Sequence, residues 1–130
     1  MSEIVLDASA VLAWMKGETG AERVEAALGG YISTVNLAEV TTKSAELGYD
    51  PADIRLDLVC MGLRVVPFSA EHSDLAAKLR PLTRVAGLSL GDRACLALAL
   101  SLGLPVLTAD KAWASLEVGV TVDLLRGDTA

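Results

Sequence analysis

The sequence predicts an α/β fold, a single domain with a central, mostly parallel sheet of four to five strands and helices on both faces. Three observations point there. Short apolar runs alternate with longer stretches of helical periodicity along the chain. The apolar fraction is 52% and the aromatic fraction only 4%, so the core is mainly Val, Leu and Ala, which suits helices packed on a parallel sheet. Finally, Leu88 to Asp110 reads as a helix N-terminus with a carboxylate, a buried helix, a tight turn, a buried strand and a second carboxylate.

The elements follow in order. Ile4-Val5-Leu6, ended by Asp7, is the first central strand. Ala8 to Met15 is helical, with Ser9 available as a cap and Trp14 packing inward. After a break at Gly17 to Gly20, a helix over Ala21 to Leu28 buries Val24, Ala27 and Leu28 and stops at Gly29-Gly30. Tyr31-Ile32-Ser33 is the second strand, and Ser33 or Thr34 caps a helix from Val35 to Leu47, ended by Gly48. Asp50 caps the next helix, with Pro51 at its first position and Asp53 closing a capping box. Leu63 to Pro67 is the third strand, and Ser69 caps a helix that Pro81 should end near Arg80.

The stretch after it is the most informative. Ser89 stands three residues before Asp92, the spacing of a capping box ahead of an apolar run. Gly103 permits the positive φ of a helix end, and Pro105 to Leu107 suits a buried strand. A helix of about 12 residues runs about 18 Å at ~1.5 Å per residue. A strand of roughly 5 residues returns about 17 Å at ~3.3 Å each. Asp92 and Asp110 should therefore meet at one end of the sheet. Trp113 lies in a short helical segment, Val118 to Leu125 is an edge strand, and the tail from residue 127 is expected to be disordered.

The 130 residues fit one domain. A net charge of −6 and a pI near 4.6 argue against a nonspecific nucleic-acid binder with a basic face. They are compatible with a nucleic-acid enzyme whose acids are neutralised by a divalent metal. Cys60 and Cys95 both sit in apolar helical contexts and read as small buried hydrophobes in a reducing compartment. No signal-peptide pattern opens the chain and no apolar run approaches the ~18 residues of a membrane span, so a soluble, cytoplasmic protein is expected, without membrane contact.

Four acids map to the carboxyl edge of the predicted sheet, where ligands of such folds bind: Asp7, Glu39, Asp92 and Asp110. Converging carboxylates repel unless they are protonated or share a hard cation. Oxygen-only ligation suits Mg²⁺, with Mn²⁺ able to substitute. The chemistry that needs such a site is metal-assisted phosphodiester hydrolysis. Each acid also has a plainer reading: Asp92 as half of a capping box, Asp7 as a helix cap, Asp110 as a turn residue. Glu39, between Ala38 and Val40, is the hardest to explain in that way.

The residues Ile4 to Ala10, Asn36-Leu37-Ala38-Glu39-Val40, Leu90-Gly91-Asp92-Arg93 and Leu107-Thr108-Ala109-Asp110 resemble, in order, the acidic motifs of PIN-domain ribonucleases. The likeness is closest to the VapC toxins of bacterial VapBC toxin–antitoxin systems and covers nearly the whole chain. It implies a Mg²⁺-dependent endoribonuclease, a homodimer, inhibited by a VapB-type antitoxin segment laid across the acidic groove. DNA would be met only indirectly, through the antitoxin. By position, Asp7, Glu39, Asp92 and Asp110 would hold metal and position the attacking water. Ser9, Asn36 and Thr108 would orient the acids through hydrogen bonds.

Other residues have plainer roles beside the functional ones. Arg93 could meet RNA phosphate or an antitoxin carboxylate, or be a helix-surface charge. Lys16, Lys43 and Lys111 are further phosphate candidates, more simply read as solvated. His72 is remote from all four motifs, which disfavours a histidine-dependent mechanism. Trp14 and Trp113 fit core or dimer packing better than base stacking. Ile54, Leu58 and Met61, on the helix over residues 52–61, are candidates for a dimer surface. A phosphoryl-accepting receiver domain would need paired acids after the first strand and an acceptor Asp after a middle one, yet Ala8 follows Asp7 and Val65-Val66-Pro67-Phe68 carries no acid. A haloacid-dehalogenase-type phosphatase would want an acid where Ser9 stands. A non-catalytic interaction module leaves Glu39 unexplained.

Overall fold

The computed structural model describes residues 3–126, so the expectation of a disordered tail from residue 127 lies outside the described residues. Five strands form one sheet: β1 (Val5–Leu6), β2 (Tyr31–Ser33), β3 (Arg64–Val66), β4 (Val106–Thr108) and β5 (Val122–Leu124). All neighbours pair parallel in the order β3-β2-β1-β4-β5. Helices α1 (Ala8–Met15), α2 (Ala21–Ala26), α3 (Thr34–Glu46), α4 (Pro51–Cys60), α5 (Ala70–Thr83) and α6 (Leu90–Leu102) connect them, and a 3₁₀ turn (Lys111–Ser115) follows β4. The fold class is the predicted one.

Strand alternation divides the core in two. Leu6, Ile32 and Leu107 face a layer with Val11, Val24, Leu37, Val40 and Leu58, drawn from α1 to α4. Val5 and Val106 face the opposite layer, with Leu79, Leu96, Leu98 and Trp113 from α5, α6 and the 3₁₀ turn. The central pair β1 and β4 is fully covered, which is why both read as unbroken apolar runs. α6 is buried along most of its length and ends at Gly103 with φ 67°, as its turn requires.

Several boundaries differ from expectation, each for a physical reason. Asp7 rather than Ser9 caps α1, accepting the Ala10 amide at 2.9 Å. Asp50 caps α4, but Asp53 does not close a box: its amide bonds the Asp50 carbonyl at 3.1 Å. α5 runs through Pro81 to Thr83. The ring removes one donor in the last turn, while buried Leu79 and Thr83 hold that turn in place, the Thr83 hydroxyl donating to the Leu79 carbonyl at 2.9 Å. β5 is the predicted edge strand but starts at Val122, because Val118 turns into the core and Gly119 takes φ 84°. Cys95 is buried as expected, whereas Cys60 is exposed near the end of α4. Trp14 is only half-buried, and Leu58 belongs to the core rather than to a docking face. No helix among the described residues is long and apolar enough to cross a membrane.

Candidate active site

The strand order creates the site. β2 and β3 lie on one side of β1, and the chain then crosses to the other side for β4. The carboxyl ends of β1 and β4 thus flank the topological switch point, where parallel sheets open a ligand crevice. Asp7 follows β1 directly and Asp110 follows β4 after one residue. α3 and α6 start at the same edge and bring Glu39 from the second turn of α3 and Asp92 from the first turn of α6. All four acids line one hollow of about 230 Å³, together with Ala8, Ser9, Leu12 and Lys43.

Asp7 is the most constrained of them, at 3% exposure. Pairing of Leu6 with Leu107 sets Asp7 beside Thr108, whose hydroxyl donates to Asp7 Oδ2 at 2.6 Å. Ser9 Oγ lies 2.8 and 2.9 Å from the two carboxylate oxygens and accepts the Ala109 amide at 2.9 Å. Burial pushes the Asp7 carboxyl up from 3.8 to about 6, with bonds from Thr108, Ala10 and Ser9 opposing and the charge of Asp92 adding to the rise. Cys95 lies beneath the same acids. Its own burial, then the charges of Asp7, Asp92 and Glu39, hold its thiol well above the usual range, so it stays protonated and unreactive.

The other acids are held by local backbone. Ser89 and Asp92 form the predicted capping box, Ser89 amide to Asp92 Oδ2 at 2.9 Å and Asp92 amide to Ser89 Oγ at 3.2 Å. Asp110 caps the 3₁₀ turn through the Ala112 amide at 2.9 Å, and its own amide bonds Thr108 Oγ1 at 3.0 Å. Thr108 therefore ties Asp7 to Asp110. Glu39 Oε1 accepts from Asn36 Nδ2 at 3.0 Å, and the same amide group reaches the Gly91 carbonyl at 3.0 Å. The plain readings of three acids as caps are all realised, and the caps converge on one hollow.

Among the described residues, no three His, Cys, Asp or Glu side chains stand close enough to grip one ion directly. The donor set nevertheless fits a hard divalent cation that keeps much of its water: carboxylate oxygens only, one of them desolvated at the base of the hollow. Lys43 is the cation of the lining, one helical turn beyond Glu39. Its proximity to the acids was legible in that spacing. Arg93 points elsewhere, donating to the Ala76 carbonyl at 2.9 Å across the seam between α5 and α6. His72 is buried in that seam with Nε2 3.1 Å from Ser101 Oγ. Trp113 is fully buried, and Trp14 Nε1 donates to Glu25 at 3.4 Å, so neither lines the hollow.

The family model of the PIN domain matches residues 4–118. The chain belongs to the PIN-domain family. Its PIN fold is shared by solved structures at low sequence identity. A toxin–antitoxin complex from Klebsiella pneumoniae superposes with TM-score 0.76 at 19% identity, covering 95% of this chain and 98% of that one. VapBC2 from Rickettsia felis, solved bound to a promoter DNA fragment, gives 0.70 at 18%, with 93% and 97% covered. VapBC-5 from Mycobacterium tuberculosis gives 0.55 at 21%, with 98% and 100% covered. Comparison with curated proteins yields no match. The PIN match spans all four acids, since Asp7 and Asp110 both fall within it.

Proposed function

We propose that this PIN-domain protein is a Mg²⁺-dependent endoribonuclease, the toxin component of a VapBC-type toxin–antitoxin system. The observation that carries the reading is the convergence of Asp7, Glu39, Asp92 and Asp110 on one hollow at the switch point. Family membership supports hydrolysis of nucleic acid, and the toxin–antitoxin complexes of like fold support the biological setting.

Mg²⁺ (or Mn²⁺), when bound, would supply activation of water and neutralisation of the leaving oxygen. Asp7, fixed by Thr108, Ser9 and the Ala10 amide, anchors the base of the site. Asp92 and Asp110, each with one oxygen engaged in a cap, present the other for water or metal. Glu39, steadied by Asn36, would help hold the cation and position the attacking water from the α3 side. Lys43 meets a non-bridging phosphate oxygen of the substrate, the one cation of the lining in a protein of net charge −6.

A cognate VapB-type antitoxin would cover this hollow, and promoter DNA would be met through it alone. A homodimer in the cytoplasm is the corresponding assembly. The test is cleavage of RNA and DNA panels by purified protein with Mg²⁺, with Mn²⁺ and with EDTA. RNA-selective cutting that EDTA abolishes and the antitoxin suppresses is expected. Cutting that survives EDTA, or a preference for DNA, would contradict the proposal.

A further inference from the structure

Gly91 has no conformational reason to be glycine. It is the second residue of α6 and does not take a positive φ. Its reason is a close approach. A Cβ built there would stand 2.5 Å from Glu39 Oε2, 2.8 Å from Cδ and 2.9 Å from Oε1, so the Glu39 carboxylate occupies the space that a side chain would fill. The Gly91 carbonyl meanwhile accepts from Asn36 Nδ2, the group that also holds Glu39 Oε1. Asn36 is 1% exposed and Gly91 is buried, so this contact is part of the packed seam between α3 and α6.

We infer that Gly91 is a positioning residue, the seat that sets Glu39 against the first turn of α6 and thereby fixes its separation from Asp92. The inference rests on the hydrolase reading of the hollow and assigns a role to a residue outside the four acids. Glu39 and Asp92 sit on different helices, and Gly91 immediately precedes Asp92. Any side chain at residue 91 moves Glu39 relative to Asp92, while the atoms displaced are the far end of a flexible side chain rather than backbone. The fold therefore tolerates the change and the site does not. Alanine is also the better helix former, so stability is retained or raised.

The experiment combines Gly91→Ala with Glu39→Ala in a double-mutant cycle on the purified full chain. It reads calorimetric Mg²⁺ binding, RNA turnover and thermal unfolding. Gly91→Ala is expected to melt at or above the wild-type temperature while Mg²⁺ affinity and turnover fall by about tenfold or more, the scale of losing a residue that orients a ligand. In the Glu39→Ala background the same change is expected to add no further loss, because the carboxylate it displaces is gone. A Gly91→Ala protein with wild-type Mg²⁺ affinity and turnover overturns the role. So does a loss that persists undiminished without Glu39. A wild-type protein that binds no Mg²⁺ overturns the hydrolase reading, and this role with it.

Discussion

At the scale of single residues, Asp7 carries a conflict between stability and use. Its carboxyl rises from 3.8 to about 6 because folding buries it. Below about pH 4 folded and unfolded chains both carry the proton and this group costs nothing. Between about pH 4 and 6 the unfolded chain ionises while the buried carboxyl keeps its proton, so this part of the stability is lost progressively and is gone once pH has risen through 6. A shift of this size corresponds to about 3 kcal/mol. The metal-free protein is expected to gain stability from this group on acidification from pH 7 to 5, and Asp7→Asn to remove that component. Unfolding temperatures of the two proteins measured across this range give the answer. Thr108 acts on the same carboxylate from the opposite strand. Thr108→Val, similar in shape, removes the donor to Asp7 and the acceptor for the Asp110 amide. A loss of about 10- to 100-fold in Mg²⁺ affinity or turnover is expected, without loss of fold.

At the scale of elements, the site is a set of helix beginnings. A helix that follows a parallel strand starts at the carboxyl edge, as α1, α3 and the 3₁₀ turn do, and α6, which follows α5 and runs back to the start of β4, starts there too, so their caps gather at one edge. Acids that serve as caps are thereby delivered to the switch point, so the caps formed by Asp7, Asp92 and Asp110 coincide with the chemical roles proposed for them. Ser89→Ala breaks the capping box, with an expected cost of about 1 kcal/mol in denaturant unfolding and a freer Asp92. Much of this was legible in the sequence, because caps and apolar runs are local signals: Ser89, Asp92, Gly103 and the strand at Val106 stand where expected. The strand order was not, since nothing local says that β4 pairs with β1 and not with β3. Pro81 and Cys60 depart from expectation for the same kind of reason. Burial of Leu79 and Thr83 carries α5 past its proline, and the solvent side of α4 is set by packing that periodicity alone does not reveal.

At the scale of the molecule, a thin Val, Leu and Ala core on each side of a five-stranded sheet supports one acidic edge. Leu107, at the centre of that sheet and 2% exposed, tests the frame: Leu107→Ala should cost about 2–5 kcal/mol. The outer face of α4 leaves Leu56, Val59 and Met61 about half exposed, while Leu58 points inward. Those exposed side chains, not Leu58, are the docking candidates of α4, and a charge placed at Leu56 or Val59 is expected to weaken the proposed homodimer in sedimentation. The central claim is that the acidic hollow hydrolyses RNA with a divalent cation. Its most direct test is the rate of RNA cleavage at saturating Mg²⁺ by the wild-type chain and by a folded Asp92→Asn variant. A fall of about a hundredfold or more is the predicted result. Equal rates in the two proteins would contradict the account.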